Sequence, residues 1–400
     1  MNIQQAIRDG TDEAYREAGD IARARASGRI PVTLEDFQDP HKVFHHIDRV
    51  HELATTGDTR PVHMTIGLTN YCNHKCSWCY INWHQAGKLS DRSGYEGEKP
   101  KKAINASWRI IEAVGEARQL GLKAVTIVGD GEPTMHNRFV DMLTALADMG
   151  LDIGIFTNMS THKPEVLEAL VKHCFFLRCS IDAARPEIHQ AMHGTDDFDL
   201  VIANLRKVVE LRGAASSPVI GVQYVTNHHN YQDLPYAAEF YRELGADYMS
   251  IKPAYKNELN PAHEENELKP QDVLPYMRKA KEFETDRFKV YAKTSQFLET
   301  LQFKTNDARY YKKCLATPLS PYLDEDGTVE MCGNLKGRGF SVGNVFDNSF
   351  QDIWNSERRK DCLSRIDLYK CPAGCKLDPL NKVLWDALYP ENDRVHKNFV

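Results

Sequence analysis

The chain has 400 residues, 26% of them charged and 42% hydrophobic, with a formal net charge of −6. That balance belongs to a soluble globular protein and argues against a general binder of nucleic acid or anionic membrane. No apolar run approaches the ~18–20 residues of a membrane span, and the polar start MNIQQAIRDGTDEAYREAGD has the pattern of neither a secretory signal nor a transit peptide. A cytoplasmic location is therefore expected, where disulfides are disfavoured. The ten cysteines are then free, metal-bound or catalytic.

Residues 1–61 read as a helical extension, with helical spacing of Val43, Phe44, Ile47, Val50 and Leu53. From residue 62 the pattern changes to strands alternating with helices. Strands are expected over 62–69, 123–129, 152–158, 174–182, 219–226 and 247–253. Amphipathic helices are expected over 107–121, 139–150, 164–173, about 198–213, and 234–245. Six such β-then-α units predict an α/β fold with a parallel sheet and right-handed crossovers, either a partial barrel or an open sheet. In both, function sits at the C-terminal ends of the strands. Residues 254–311 read as a connecting region of helix and loop. Residues 312–400 read as a smaller α+β domain, with a hairpin turning at Asp326-Gly327, a helix beginning near Ser349 and a last helix in DPLNKVLWDALY.

The stretch YCNHKCSWCY carries Cys72, Cys76 and Cys79 in a C-x3-C-x2-C spacing, on the loop after the first strand. Three thiolates suit an iron–sulfur cluster in which one iron keeps an open position for a small molecule. A zinc loop completed by His74 or His84 is the alternative. With Trp78 before the last cysteine, this loop resembles that of the radical S-adenosylmethionine (SAM) family, and the likeness covers roughly residues 62–253. It implies a partial (β/α)6 barrel and a [4Fe–4S] cluster whose open iron is chelated by the amino and carboxylate groups of SAM. It also implies reductive cleavage to a 5′-deoxyadenosyl radical that abstracts a hydrogen atom from substrate, and a flavodoxin or ferredoxin as electron donor. Gly129-Asp130-Gly131-Glu132-Pro133 resembles the family's Gly-Gly-Glu-Pro turn with Asp130 inserted. The resemblance implies that Glu132, or Asp130, accepts from the SAM ammonium, and that Asn158 lies near the cofactor. On the fourth strand Arg178, Ser180 and Asp182 alternate onto one face. The likeness implies Ser180 and Arg178 for the SAM carboxylate and ribose, with a structural ion pair as the alternative for Arg178.

Beyond residue 313 lie Cys314, Cys332, Cys362, Cys371 and Cys375, and the C-x12-G-x4-C run from Cys314 to Cys332 resembles the start of the family's SPASM and Twitch extensions. The likeness implies one auxiliary [4Fe–4S] cluster held by Cys314, Cys332, Cys371 and Cys375, with Cys362 packed in a helix. Zinc on the same four thiolates is the alternative. A closed second cluster suits electron acceptance, so the expected reaction is oxidation of a small hydroxylated metabolite of sugar, aminocyclitol or nucleoside type. A redox-neutral reaction, a peptide substrate and a plain electron-transfer protein are the competing readings. Acid–base or substrate-binding candidates near the strand ends are His84, His136, His193, His228 and Lys252.

Overall fold

The computed structural model describes residues 39–79, 104–254, 268–293, 297, 309–336, 338–371 and 375–389. The six expected strands are present as β1 (His63–Gly67), β2 (Ala124–Val128), β3 (Asp152–Thr157), β4 (Phe176–Ser180), β5 (Val219–Thr226) and β6 (Tyr248–Pro253). They pair in parallel and in chain order. Helices α2 (Trp108–Gln119), α3 (Phe139–Asp148), α4 (Pro164–His173), α5 (Pro186–His193), α6 (Phe198–Arg212) and α7 (Leu234–Glu243) lie between them.

Alternation along the strands sorts two faces. Met64, Ile66, Val125, Ile127, Ile153, Ile155, Leu177, Cys179, Ile220, Val222, Met249 and Ile251 join the helices in one apolar core. Cys174 lies in that same core. The opposite, inner face carries Thr65, Thr126, Phe156, Arg178, Gln223, Tyr248 and Lys252, so the polar side chains gather inside the partial barrel.

Three features depart from expectation. Residues 254–311 hold a seventh parallel strand, β7 (Lys289–Ala292), beside β6 and after α8 (Pro270–Lys281). Its four residues, KVYA, are too few to stand out in the sequence. The C-terminal hairpin does not make a sheet of its own: β8 (Tyr322–Leu323) pairs in parallel with β1, and β9 (Thr328–Glu330) and β10 (Ser341–Asn344) follow antiparallel. It covers an edge that would otherwise expose unpaired backbone groups. The helix starting at Ser349 is two, α9 (Phe350–Asn355) and α10 (Glu357–Ser364), because Ser356 is extended and its hydroxyl accepts from Arg359 N to start a new helix.

The first and last described α-helices meet. In α1 (Ile47–Thr56), Val50 and Leu53 pack with Leu315, Leu319 and Leu384, the last from α11 (Asp378–Leu388). Trp354 Nε1 donates to Thr59 O at 3.2 Å, and Arg359 pairs with Asp58. Among the described residues, no helix is long and apolar enough to cross a membrane.

Candidate active site

The loop after β1 brings Cys72, Cys76 and Cys79 together, with Cys79 N donating to Cys76 O at 3.1 Å. Burial, then the Glu132 carboxylate, pushes the Cys72 thiol up to about 12. Burial, then the neighbouring Cys79 and Cys72, raises that of Cys76. Apposed buried thiolates are costly unless a cation holds them, so the donor set fits an iron–sulfur cluster.

The loop is seated by backbone contact with the turn after β2. Gly131 N donates to Thr69 O at 3.0 Å and Glu132 N to Tyr71 O at 2.8 Å. A Cβ on Gly131 would lie 2.1 Å from Tyr71 O, so only glycine lets the two loops close. Glu132 is buried and both its oxygens are engaged. Oε1 accepts from Thr134 N, Thr134 Oγ1 and Thr157 Oγ1, and Oε2 from Asn158 N at 2.7 Å. Asn158 Nδ2 in turn donates to Asn73 Oδ1 at 3.1 Å, beside Cys72. Asp130 faces away from this group and pairs with Lys336 Nζ at 2.9 Å.

A buried histidine group backs the loop. His193 Nδ1 lies 3.2 Å from Cys76 Sγ and 3.2 Å from His74 Nδ1. His193 Nε2 donates to Ile181 O at 2.7 Å and lies 3.2 Å from Asp182 Oδ2. His74 and His189 each bond Asp197 through Nε2 at 2.9 Å. Trp78 stands edge-on to His193, with ring centroids 6.4 Å apart.

The other candidates are dispersed. Buried His136 has both ring nitrogens committed, Nε2 donating to Ala106 O and Nδ1 accepting from Arg138 N, each at 3.1 Å. His228 is exposed beside His229. Ser180 lies on the inner face in register with Gln223. Burial, then the positive charge of Arg178, pushes the Lys252 amine down to about 8. His84 lies outside the described residues.

Cys314, Cys332, Cys371 and Cys375 pack in one cluster with Ala316, Leu335 and Leu377. Burial pushes Cys332 up to about 11 and Cys375 up to about 12. Asn381 Oδ1 accepts from Leu315 N at 2.7 Å and Ala316 N at 3.0 Å, holding the Cys314 turn. Four convergent thiols fit a closed cluster. Cys362 is buried away from this group, in the main core. Cys314 precedes β8, and Cys332 follows the antiparallel β9. This set therefore lies toward the N-terminal end of β1, opposite the three-cysteine loop, with the inner face of the barrel between them.

Two family profiles match the chain. The profile of the radical SAM superfamily matches residues 66–241, and that of SPASM, an iron-sulfur cluster-binding domain, matches residues 314–376. The chain thus carries a radical SAM domain followed by a SPASM domain, and it is a radical SAM enzyme. Its cofactors are SAM, a SAM-binding [4Fe–4S] cluster and an auxiliary [4Fe–4S] cluster.

Among its relatives is the tungsten-containing aldehyde ferredoxin oxidoreductase cofactor-modifying protein of Pyrococcus furiosus. It is 24% identical over 307 residues, covering 74% of this chain and 81% of that protein. The antilisterial bacteriocin subtilosin biosynthesis protein AlbA of Bacillus subtilis is 22% identical over 315 residues, covering 76% of this chain and 63% of that one. The crystal structure of Streptococcus suis SuiB bound to precursor peptide SuiA shares the fold. Its TM-score is 0.60 at 16% identity, over 88% of this chain and 79% of that one.

Sequence reasoning missed Lys336, Asp324, Glu325, Asp197 and Tyr248. Only Asp324 and Glu325, in the run LDEDG of the hairpin turn, carried a local signal.

Proposed function

We propose that this enzyme abstracts a hydrogen atom from a small hydroxylated metabolite, of sugar, aminocyclitol or nucleoside type, and oxidises it. The observation that carries the reading is the pair of thiol sets, three at one end of the barrel and four toward the other, with a polar inner face between. Cys72, Cys76 and Cys79 are the proposed ligands of the SAM-binding cluster, and Cys314, Cys332, Cys371 and Cys375 those of the auxiliary one. When bound, the first cluster with SAM supplies the 5′-deoxyadenosyl radical, and the second supplies an electron-accepting centre. The protein's own part is to orient and to exclude water. Gly131 and Glu132 hold the turn against the cluster loop, and Asn158 fixes Asn73 beside Cys72. Lys252, lowered toward neutrality by burial and Arg178, is placed on the inner face to take up a proton. A flavodoxin or ferredoxin is the proposed reductant.

The second reading is a radical enzyme that modifies a peptide or a cofactor. It is favoured by the relatives' names, since AlbA serves bacteriocin biosynthesis, the Pyrococcus furiosus protein is named cofactor-modifying and another relative is the mycofactocin maturase MftC. A short precursor gene beside this one would favour the peptide.

The test is an anaerobic preparation with iron and sulfide counted, repeated with Cys72, Cys76 and Cys79 all changed to Ala. About eight irons should fall to about four, with SAM cleavage abolished. About four irons falling to none, with zinc retained, would remove the auxiliary cluster and the oxidation with it. A panel of sugar, aminocyclitol and nucleoside alcohols then follows, scored by 5′-deoxyadenosine release.

A further inference from the structure

Arg178 stands in the middle of β4 on the inner face, in register with Gly221 of β5, and Gly221 with Tyr248 of β6. Two glycines make room for what surrounds it. A Cβ on Gly221 would lie 2.0 Å from the Tyr248 ring, and one on Gly154 2.1 Å from the Phe176 ring. Both rings therefore lean across a neighbouring strand toward the guanidinium. Its carbon lies 4.7 Å from the Phe156 centroid, 5.8 Å from that of Tyr248 and 5.9 Å from that of Phe176. Nε donates to Tyr248 Oη at 3.1 Å. Among the described residues, no carboxylate pairs with Arg178, and its two Nη groups have no hydrogen-bond partner.

Contacts with aromatic faces return only ~0.5–2 kcal/mol, whereas a half-buried guanidinium without a counter-ion forfeits solvation worth more. A pinned Nε with a free planar fork is the geometry that takes an oxyanion through two parallel hydrogen bonds. Two lysine amines share the same wall. Lys293 N donates to Ile251 O at 3.0 Å, which sets Lys293 beside Lys252. Lys252 and Lys293 both feel the charge of Arg178.

The depth of the site says whose oxyanion it is. Asp182, which reaches Cys76 through His193, lies beyond the end of β4 at Ser180, and Ser180 is itself two residues, roughly 7 Å of strand, past Arg178. Because Tyr248 holds Nε at its own level, the guanidinium stays deep, between the two thiol sets. We propose that Arg178 is the receptor for a carboxylate or phosphate of the substrate, bound inside the barrel with Lys252 and Lys293 beside it. This rests on the reading that a substrate enters the barrel interior, and it takes Arg178 away from the SAM carboxylate.

The test uses the enzyme with both clusters in place and SAM bound, titrated calorimetrically with inorganic phosphate and, separately, with succinate. The preferred probe tells phosphate from carboxylate. Arg178→Met should weaken the preferred probe by about tenfold or more, and Tyr248→Phe, which keeps the aromatic walls and frees Nε, by a smaller factor. Iron content and SAM affinity should match the parent in both variants. Equal probe binding by parent and Arg178→Met, or no binding of either probe by the parent, overturns the proposal. So does a loss of SAM affinity in Arg178→Met matching the loss of probe, which would return Arg178 to SAM. Iron count and SAM cleavage on the same parent samples report the radical reading separately.

Discussion

Lys336 reaches Asp130 across 206 positions of sequence, with Nζ 2.9 Å from Oδ2. The same amine lies 2.5 Å from Asp324 Oδ1. It stands at the end of the turn that begins at Cys332, while Asp130 begins the turn that Gly131 and Glu132 lock onto Tyr71. One buried ion pair thus ties the proposed auxiliary-cluster ligands to the loop that carries Cys72.

Removing the lysine leaves the buried Asp130 carboxylate uncompensated and Asp324 without its partner. Lys336→Met should destabilise the protein by about 3–5 kcal/mol, read as a lowered denaturation midpoint. SAM affinity should fall with it, because Asp130 no longer fixes the turn. Unchanged SAM affinity in the folded variant would mean that the ion pair serves stability alone.

The same cluster gives the protein a pH dependence. Burial, then the Asp130 carboxylate, pushes Glu325 up to about 8, and burial pushes Asp324 up to about 7. Both hold their protons in the folded state to a higher pH than in the unfolded one. Their contribution is complete below the ordinary carboxylate range and is lost as pH rises through about 7 and about 8. Denaturant unfolding from mildly acid to mildly alkaline pH should show stability falling, and Glu325→Gln should flatten the upper part of that slope. A slope unchanged by Glu325→Gln would assign the proton elsewhere.

Gly131 permits a contact that no side chain allows. A Cβ would lie 2.1 Å from Tyr71 O, so Gly131→Ala should part the two loops. The expected outcome is a cost of roughly 1–3 kcal/mol and loss of iron from the three-cysteine site, counted against the parent. Full iron content in the variant would show that the loops close independently.

Strands β1 to β6 were legible because each is a short strand pattern, with a helical period after each of the first five, and such a series excludes most topologies. The three-cysteine spacing and the Gly-Asp-Gly-Glu turn were legible for a different reason, since each is contiguous in sequence. What escaped is what the fold assembles from distant segments. Lys336 gives no local signal of Asp130, and Arg178 none of the Tyr248 that pins it. His136 and His193 looked like free bases near strand ends, but folding turns both inward. His136 is bound at both nitrogens by backbone, and His193 sits against Cys76. Helix α5 was missed because its eight residues, PEIHQAMH, bury histidines where an apolar stripe is expected.

Asn381 holds the proposed auxiliary-cluster site from far along the chain. It is buried on α11, its Oδ1 accepts from Leu315 N at 2.7 Å and Ala316 N at 3.0 Å, and its Nδ2 lies 3.5 Å from Cys314 Sγ. Asn381→Ala strands two buried backbone donors, at about 1–3 kcal/mol each, and releases the turn that aims Cys314 at its three partners. The iron count should fall from about eight toward about four, while SAM still binds, because the three-cysteine loop is untouched. Loss of both clusters together would show that assembly of the SPASM domain is a precondition for the barrel site. Retention of all the iron would show that Cys314 is positioned without Asn381.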